Sequence, residues 1–229
     1  MKRFIRGIRP ALTLSLALTV AACGSDRDLQ GVALQAVGEL FTPKKPPAKV
    51  TSAQIVQALQ AGTNPVILVS FEQRDNTQGL LAQVETNGAY HTFGNQARNV
   101  IVLRDGMITS TRGLGGDLMS VEEDALLALV KARGTGQVTY VQRFLKPEAV
   151  TEELTFRCAS RPVGSQRVAL GLINAQTTTV QVDCYGKHPE DGAQVEFTNT
   201  YAVSSDGVIL SGRQWVGDYL GYIGTQYLR

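Results

Sequence analysis

The sequence has few of the residues on which common catalytic and metal sites depend. Among its 229 residues are two histidines, three cysteines and one tryptophan. A zinc site needs several nitrogen or sulfur ligands, and the two histidines, His91 and His188, lie far apart in the sequence. We interpret both as surface histidines. The sequence therefore predicts no metal site, no cofactor and no catalytic residue.

The chain also lacks a basic excess and a second long apolar run. Four of its 22 basic residues lie in the first nine positions, and the remaining 18 stand against 20 acidic residues. Such a surface does not attract nucleic acid electrostatically. No apolar run beyond the N-terminal region approaches the roughly 20 residues of a membrane span. We therefore expect no nucleic-acid partner and a body that folds in water.

The N-terminus has the pattern of a secretory signal that ends at a cysteine. A basic head precedes an apolar run from Ala11, and the small residues Ala21 and Ala22 precede Cys23. A positive head, an apolar stretch of about 7–15 residues and small residues before the cut define such a signal. The pattern resembles the bacterial lipoprotein signal, whose cysteine is acylated and becomes the new N-terminus. The alternatives are an ordinary signal peptide with a chance cysteine, or an N-terminal membrane anchor.

This pattern predicts the organisation of the chain and its location. Residues 1–22 are expected to be removed, and Cys23 to carry the lipid. In bacterial lipoprotein signals, which this one resembles, an aspartate directly after the cysteine favours retention in the inner membrane. The residue here is Gly24, so we expect an outer-membrane lipoprotein that faces the periplasm. Residues 23–50 read as a lipid-anchored segment, with helical spacing over Leu29–Leu40 and a Pro/Lys linker, and residues 51–229 as a single β-rich domain.

The two remaining cysteines, Cys158 and Cys184, lie on apolar faces of predicted strands. An exported chain reaches an oxidising compartment, where a disulfide is the default state. Neighbouring strands could bring these thiols within bonding range, so we expect a disulfide. The alternative is two separate buried thiols.

Short apolar segments bounded by turn residues indicate a mostly β (α+β) fold. The predicted strands are Val66–Phe71, Leu80–Glu85, Ala89–Phe93, Val100–Leu103, Met107–Thr111, Val138–Phe144, Glu153–Cys158, Arg167–Ile173, Thr177–Cys184, Val195–Val203 and Val208–Val216. Asn87-Gly88 and Asp105-Gly106 predict hairpins with type I′ turns. One helix is predicted over Thr51–Ala61. A second is predicted to begin at Ser120, with Glu123 completing a capping box, and to end at Gly134. We expect an antiparallel barrel-like or sandwich domain with two or three short helices.

One C-terminal segment, Gly212–Ile223, is unusually rich in aromatic and hydrogen-bonding residues. Its candidates for contact with a glycan or a partner protein are Arg213, Gln214, Trp215, Tyr219 and Tyr222. Aromatic rings stack on the C–H faces of sugars, and Arg and Gln bond hydroxyls or carboxylates. The alternative places Trp215 and Tyr222 in the core and pairs Arg213 with an acid such as Asp218 or Glu196.

Several motifs together resemble the YjbF/GfcB family. They are Leu68–Glu72, Thr111–Leu118, the cysteines Cys158 and Cys184, Phe197–Tyr201, Ser211–Gly217, Gly221-Tyr222 and Gln226. This family consists of outer-membrane lipoproteins encoded with genes for group 4 capsule or related exopolysaccharide. The resemblance implies a role in polysaccharide secretion or assembly, beside an export channel and a periplasmic partner protein. It supplies no catalytic residues.

Two other functions remain open from the sequence alone. A polysaccharide-modifying lyase or hydrolase would need paired carboxylates in one concave pocket, for which Asp117, Glu196 and Asp218 are candidates. A purely structural partner would bury Trp215 and use its surface as a protein interface. The leading hypothesis is a non-enzymatic accessory lipoprotein that contacts export components, or the passing glycan, near Arg213–Tyr222.

Overall fold

The computed structural model of the protein describes residues 48–145 and 150–229. The predicted signal, Cys23, the predicted helix over Leu29–Leu40 and the linker up to residue 47 lie outside the described residues. The strands are β1 (Val66–Phe71), β2 (Thr77–Asn87), β3 (Tyr90–Gly94), β4 (Val100–Arg104), β5 (Met107–Arg112), β6 (Leu118–Glu122), β7 (Gly136–Leu145), β8 (Thr151–Leu170), β9 (Ile173–Lys187), β10 (Gln194–Val203), β11 (Ile209–Trp215) and β12 (Tyr222–Tyr227). The helices are α1 (Ser52–Gln60), α2 (Asp124–Lys131) and a 3₁₀ turn (Glu72–Arg74). No helix within the described ranges is long and apolar enough to cross a membrane.

All twelve strands form one antiparallel sheet that curls into a nearly closed barrel, as the sequence predicts. The strand order is β5-β4-β3-β2-β1-β12-β11-β10-β9-β8-β7-β6. Strand β1 therefore pairs with β12, with Ile67 opposite Tyr227, while β5 and β6 are the two edges. We call the end of the barrel that holds the 3₁₀ turn, the 113–117 loop and the β11–β12 turn the upper end.

Side-chain hydrogen bonds connect the two edge strands where no ladder joins them. The backbone N–H of Leu118 in β6 donates to Thr111 Oγ1 in β5 at 3.0 Å. The guanidinium of Arg112 donates to the Leu118 carbonyl at 3.0 Å. Unpaired strand edges are sites of aggregation, and these bonds cover part of both edges.

The barrel interior is filled by side chains from alternate positions of its strands. Along β10 the inward positions are Val195, Phe197, Asn199, Tyr201 and Val203, and all are buried. A smaller apolar cluster of Ile55, Val66 and Leu228 packs α1 against the rest of the body. Period-two burial of this kind is what a sheet with one face on a core produces.

The first predicted helix is confirmed, and the second begins later than predicted. Thr51 caps α1 in a capping box, because its Oγ1 accepts from Gln54 N while its own N–H donates to Gln54 Oε1. Ser120, by contrast, lies in β6 opposite Arg143. Glu123 forms no capping box, because its buried carboxylate accepts hydrogen bonds from Tyr90 and Arg104.

Two turn and strand predictions are also corrected. Asp105 and Gly106 both have positive φ, as a type I′ turn requires. In the β2–β3 hairpin Asn87 instead pairs with Tyr90, and Gly88 alone has positive φ, so a type I′ turn on Asn87-Gly88 is wrong. The predicted strands Glu153–Cys158 and Arg167–Ile173 belong largely to the single 20-residue strand β8. The sequence around Pro162 predicts a break, but the strand continues there with a register shift between Pro162 and Gly164.

The predicted disulfide is present between Cys158 of β8 and Cys184 of β9. The two residues lie directly opposite each other in the ladder, with an S–S distance of 2.04 Å. Both are buried in the main core. The alternative of two separate thiols is therefore wrong.

Candidate functional site

The segment Gly212–Ile223 runs from β11 through a turn into β12, at the upper end of the barrel. The strand β12 was not among the predicted strands. The structure divides the five predicted contact residues between the interior and the surface. Gln214 and Trp215 are buried, and Arg213, Tyr219 and Tyr222 reach solvent to different degrees.

Gln214 is a structural residue that crosses the barrel interior. Its Oε1 accepts from the Ile108 N–H at 3.0 Å, and its Nε2 donates to the Ile108 carbonyl at 2.8 Å. Ile108 lies in the edge strand β5. Gln214 therefore bonds an N–H and a carbonyl that, in an inner strand, would pair with the next strand of the sheet. With 1% of its surface exposed, Gln214 is not a glycan contact, which corrects that expectation.

Trp215 belongs to an aromatic cluster at the upper end of the core. Its ring stacks on Phe197 with centroids 4.6 Å apart and meets Phe156 and Phe144 edge-on at 5.8 and 6.1 Å. Only 6% of its surface is exposed. Direct stacking of a sugar on Trp215 is therefore wrong, and the alternative of a core tryptophan is correct.

Arg213 and Tyr222 lie together on the outer face of the sheet. The guanidinium lies 3.3 Å from the centroid of the Tyr222 ring, and bonds both oxygens of Glu72 at 2.6 and 2.8 Å. The hydrogen bonds that Arg213 donates to Glu72 raise the pKa of its guanidinium above the usual value, although burial opposes this effect. The acid that pairs with Arg213 is thus Glu72 of the 3₁₀ turn, neither Asp218 nor Glu196. Arg213 ties this turn to β11.

Tyr222 has a second structural contact, since its hydroxyl accepts a hydrogen bond from the Thr198 N–H at 3.0 Å. Both polar groups of the Arg213–Tyr222 pair are thus already bonded within the protein.

Tyr219 is the most exposed of the five residues, with 69% of its surface open to solvent. It lies along the loop 113–117, where Gly115 and Gly116 both have positive φ. A Cβ added at Gly116 would lie 2.7 Å from the Tyr219 Cβ, which is too close. The Asp117 carboxylate fixes this loop by accepting from the N–H groups of Gly113 and Leu114. The glycine-rich loop therefore packs against Tyr219 and positions it.

Tyr219 borders a pocket of about 590 Å³ at the upper end, which we call the upper pocket. Its described lining residues are Gly115, Gly116, Asp117, Phe144, Leu145, Glu152, Leu154, Gly217, Asp218 and Tyr219. Phe144 and Leu154 are buried and apolar, and Phe144 connects the pocket to the aromatic cluster around Trp215. The volume lies within the roughly 300–1,000 Å³ of small-molecule sites.

The upper pocket brings together three carboxylates, two of which are candidates predicted from the sequence. Asp117 and Asp218 line it as predicted for an enzyme, together with Glu152, whereas Glu196 lies elsewhere, beside Asp183 and Tyr222. His188 lies between two of the acids, with Nε2 at 3.0 Å from Asp218 and Nδ1 at 3.4 Å from Glu152. Asp117 is engaged by the glycine loop, and Asp218 is paired with His188.

Glu72, Glu152 and His188 were missed as partners of the predicted segment. Each lies at least 30 residues from Asp218 in the sequence, and none stands in a motif that marks it. Their proximity depends on how distant strands pair in the sheet, which no local pattern records. Within the described residues, no group of three or more His, Cys, Asp or Glu side chains could hold a metal ion.

A family model described as "Group 4 capsule polysaccharide lipoprotein gfcB, YjbF" matches residues 33–228 of the chain. A comparison with curated proteins gives no match.

Two solved structures resemble the fold. The hypothetical lipoprotein YmcC from Escherichia coli (K12) superposes with a TM-score of 0.65 at 14% identity, over 86% of this chain and 94% of that one. A putative lipoprotein from Parabacteroides distasonis aligns over 73% of this chain and 95% of that one, with 8% identity and a TM-score of 0.34. At these identities the likeness to YmcC concerns the fold alone, and the second likeness is too weak to support an argument.

Proposed function

The chain belongs to the YjbF family of group 4 capsule polysaccharide lipoproteins, and from this membership we propose that it assists secretion or assembly of a surface polysaccharide without catalysing a reaction. The family match over residues 33–228 is the observation that carries the proposal. In the proposed arrangement Cys23 anchors the protein in the outer membrane, and the body faces the periplasm. An export channel and a periplasmic protein would be its partners.

The exposed residues of the upper end support a binding role. Gln214 and Trp215 serve the interior, and Arg213 and Tyr222 are bonded to Glu72 and Thr198. Tyr219, Glu152 and Asp218 line a concave surface beside them. Such a surface can hold a glycan or a protein segment, and the contact region therefore moves from the sheet face around Arg213 to the upper pocket.

The role in export is tested by measuring where the polysaccharide accumulates in cells that lack the protein. We expect less polymer outside the cell, with polymer retained in the periplasm or not completed. Unchanged amount, length and location of the polymer would contradict the proposal.

The lipid anchor is tested by Cys23→Ser in the same cells. Because the thiol is the acylated group, this variant should remain an unprocessed precursor and should reproduce the polymer defect. Asp28→Ser, which introduces the same residue outside the cleavage pattern, is the matched control and should be processed normally. Lipidation of the Cys23→Ser protein would contradict the assignment of the anchor.

A polysaccharide-modifying enzyme is a second candidate, because the structure gathers acids in the upper pocket. Glu152 and Asp218 would then act on a glycosidic bond, which requires carboxyl groups about 5–9.5 Å apart. The test incubates the purified chain with its polysaccharide and measures new reducing ends or unsaturated products. Products that disappear with Glu152→Gln would favour the enzyme, whereas export loss without products would favour the binding role.

A further inference from the structure

We propose that the upper end of strand β10, at Gln194–Thr198, binds an extended segment of a partner protein, which adds to the sheet as a further strand. This inference rests on the proposed function, since it names how a partner protein would be held. Three features carry it: a gap in the sheet, backbone groups that face the gap, and an exposed acid beside them.

The gap lies between β10 and β11, which pair along only part of their length. The ladder of β10 with β9 covers Gln194–Val203, whereas its ladder with β11 covers only Thr200–Val203. Strand β11 instead turns into the core at Trp215, whose ring stacks on Phe197. Among the strands of the described residues, none pairs with the upper end of β10 on the side away from β9.

Side chains replace the missing ladder at Thr198. The Tyr222 hydroxyl accepts from the Thr198 N–H at 3.0 Å, and Arg213 donates to the Thr198 carbonyl at 3.2 Å. In the same way, Asn199 Oδ1 accepts from the Trp215 N–H at 2.8 Å. The first two bonds show that the N–H and the carbonyl of Thr198 point away from β9 and into the gap.

The backbone groups of Gln194 and Glu196 point into the gap as well. In an antiparallel ladder, alternate residues of a strand direct their N–H and carbonyl groups to the same side, so Gln194 and Glu196 follow Thr198. Both residues are exposed. A row of donors and acceptors at this spacing is complementary to the backbone of another extended chain. The occupant is therefore a polypeptide segment rather than a sugar.

The side chains beside the gap determine which segment fits. Glu196 is exposed on the outer face of the sheet and lies directly opposite Tyr185, which is 42% exposed. Both residues line a groove of about 630 Å³, together with Thr198 and Tyr222. An added strand places a side chain next to Glu196, and opposite charges on neighbouring strands attract. The occupant therefore carries a lysine or arginine at this position, and the short edge makes the contact weak and transient.

The test measures binding of dye-labelled peptides to the purified full chain, held in detergent, by fluorescence anisotropy. The first peptide alternates threonine and valine around a central lysine, and the second has glutamate in place of the lysine. The third repeats the lysine sequence with every amide nitrogen methylated, so that it cannot donate to a strand edge. We expect the lysine peptide to bind, the glutamate peptide to bind about three- to tenfold more weakly, and the methylated peptide not to bind. Binding of none of them, or binding that ignores the charge or the methylation, would overturn the proposal.

Variants assign the binding to β10. Glu196→Pro removes the N–H that faces the gap and keeps the ladder with β9, which does not use that N–H, so binding of the lysine peptide should be lost. Glu196→Lys leaves the backbone intact and should reverse the preference between the lysine and glutamate peptides. Glu85→Lys makes the same change at an exposed acid of β2 and should leave the preference unchanged. Binding that survives Glu196→Pro in a folded protein, or a preference that ignores Glu196→Lys, would overturn the proposal.

Failure of this inference is distinguishable from failure of the proposed function. Peptide binding at β10, with polymer unchanged in cells lacking the protein, would refute the role in export alone. An export defect without peptide binding would refute the strand addition alone. A dimer in sedimentation experiments that dissociates with Glu196→Pro would show that the edge pairs with a second copy of the chain, and would overturn the assignment to a partner protein.

Discussion

At the scale of single residues, a substitution of Gln214 tests how much its hydrogen bonds across the interior stabilise the barrel. Gln214→Leu removes both hydrogen bonds to Ile108 and leaves a buried N–H and a buried carbonyl without these partners. Each unsatisfied buried group costs about 1–3 kcal/mol, so we expect a loss of roughly 2–4 kcal/mol in the free energy of unfolding. Urea denaturation followed by circular dichroism measures it.

A matched control makes the same change on the surface. Gln137 of β7 is exposed, and Gln137→Leu should alter stability by no more than about 0.5 kcal/mol. If Gln214→Leu is as mild as its control, the bonds to Ile108 do not hold the barrel together.

The residue types of Gly212–Ile223 indicated an important segment, but they did not predict the role of each side chain. Strict alternation would place Gln214 and Trp215 on opposite faces, yet both are buried, because Trp215 turns into the aromatic cluster at the top of the core. The polar side chain of Gln214 suggested contact with a glycan or a partner protein. Its hydrogen-bond partner is instead Ile108, which lies 106 residues away in the sequence. Exposure could be predicted from the local sequence only for Tyr219, because it lies in a turn shortly after a glycine.

At the scale of elements, the Cys158–Cys184 disulfide joins the longest hairpin of the sheet. A closed loop of 26 residues is expected to contribute about 3–4 kcal/mol in the chain-entropy model. We expect the double variant Cys158→Ala, Cys184→Ala to unfold at lower urea concentration by an amount in this range. Wild-type protein reduced while unfolded and refolded with reductant should show the same shift, because it retains both sulfur atoms. Two free thiols in the oxidised native protein, found by mass analysis, would contradict the bond.

Elements with a local signal were predicted well, and those fixed by distant partners were not. The hairpin at Asp105-Gly106 and the cap at Thr51 each depend on two to four neighbouring residues, and both are confirmed. Ser120 also had a good helix-start signal, but pairing with β7 draws it into a strand. Strand β8 continues through Pro162 because β9 pairs along its whole length.

At the scale of the whole molecule, buried tyrosines predict how the protein unfolds in alkali. Burial raises the pKa of Tyr227 to about 12 and raises the pKa of Tyr140 and Tyr201. In the unfolded chain these phenols titrate near 10. Their neutral forms therefore favour the folded state fully below about pH 10, and this stabilisation is lost as the pH rises from 10 through 12. We expect part of the phenolate absorbance at 295 nm to appear together with the loss of circular dichroism.

The variant Tyr227→Phe separates this effect from general alkaline damage. It removes an ionisable group from the core and should move the unfolding midpoint to higher pH. Tyr185→Phe changes an exposed phenol and should leave the midpoint in place. Full phenolate absorbance in a protein whose circular dichroism is still native would show that burial does not hold these phenols neutral.

An antiparallel barrel-like or sandwich domain was predictable, because short strands separated by turn residues leave few other architectures. Closure was not, since it depends on Ile67 meeting Tyr227 across 160 positions of the sequence. The acids of the upper pocket come from three separate parts of the chain.

The strand order also determines when the sheet can be completed during synthesis of the chain. From β1 to β5, and again from β6 to β12, each strand pairs with its sequence neighbour, so both halves can form as the chain emerges. The pairing of β1 with β12 waits for Tyr222–Tyr227, because β12 is the last of the described strands to be synthesised. A product that stops after Trp215 would leave β1 and β11 as open edges, which invite aggregation and proteolysis. Completion of the sheet therefore requires a chain that includes β12.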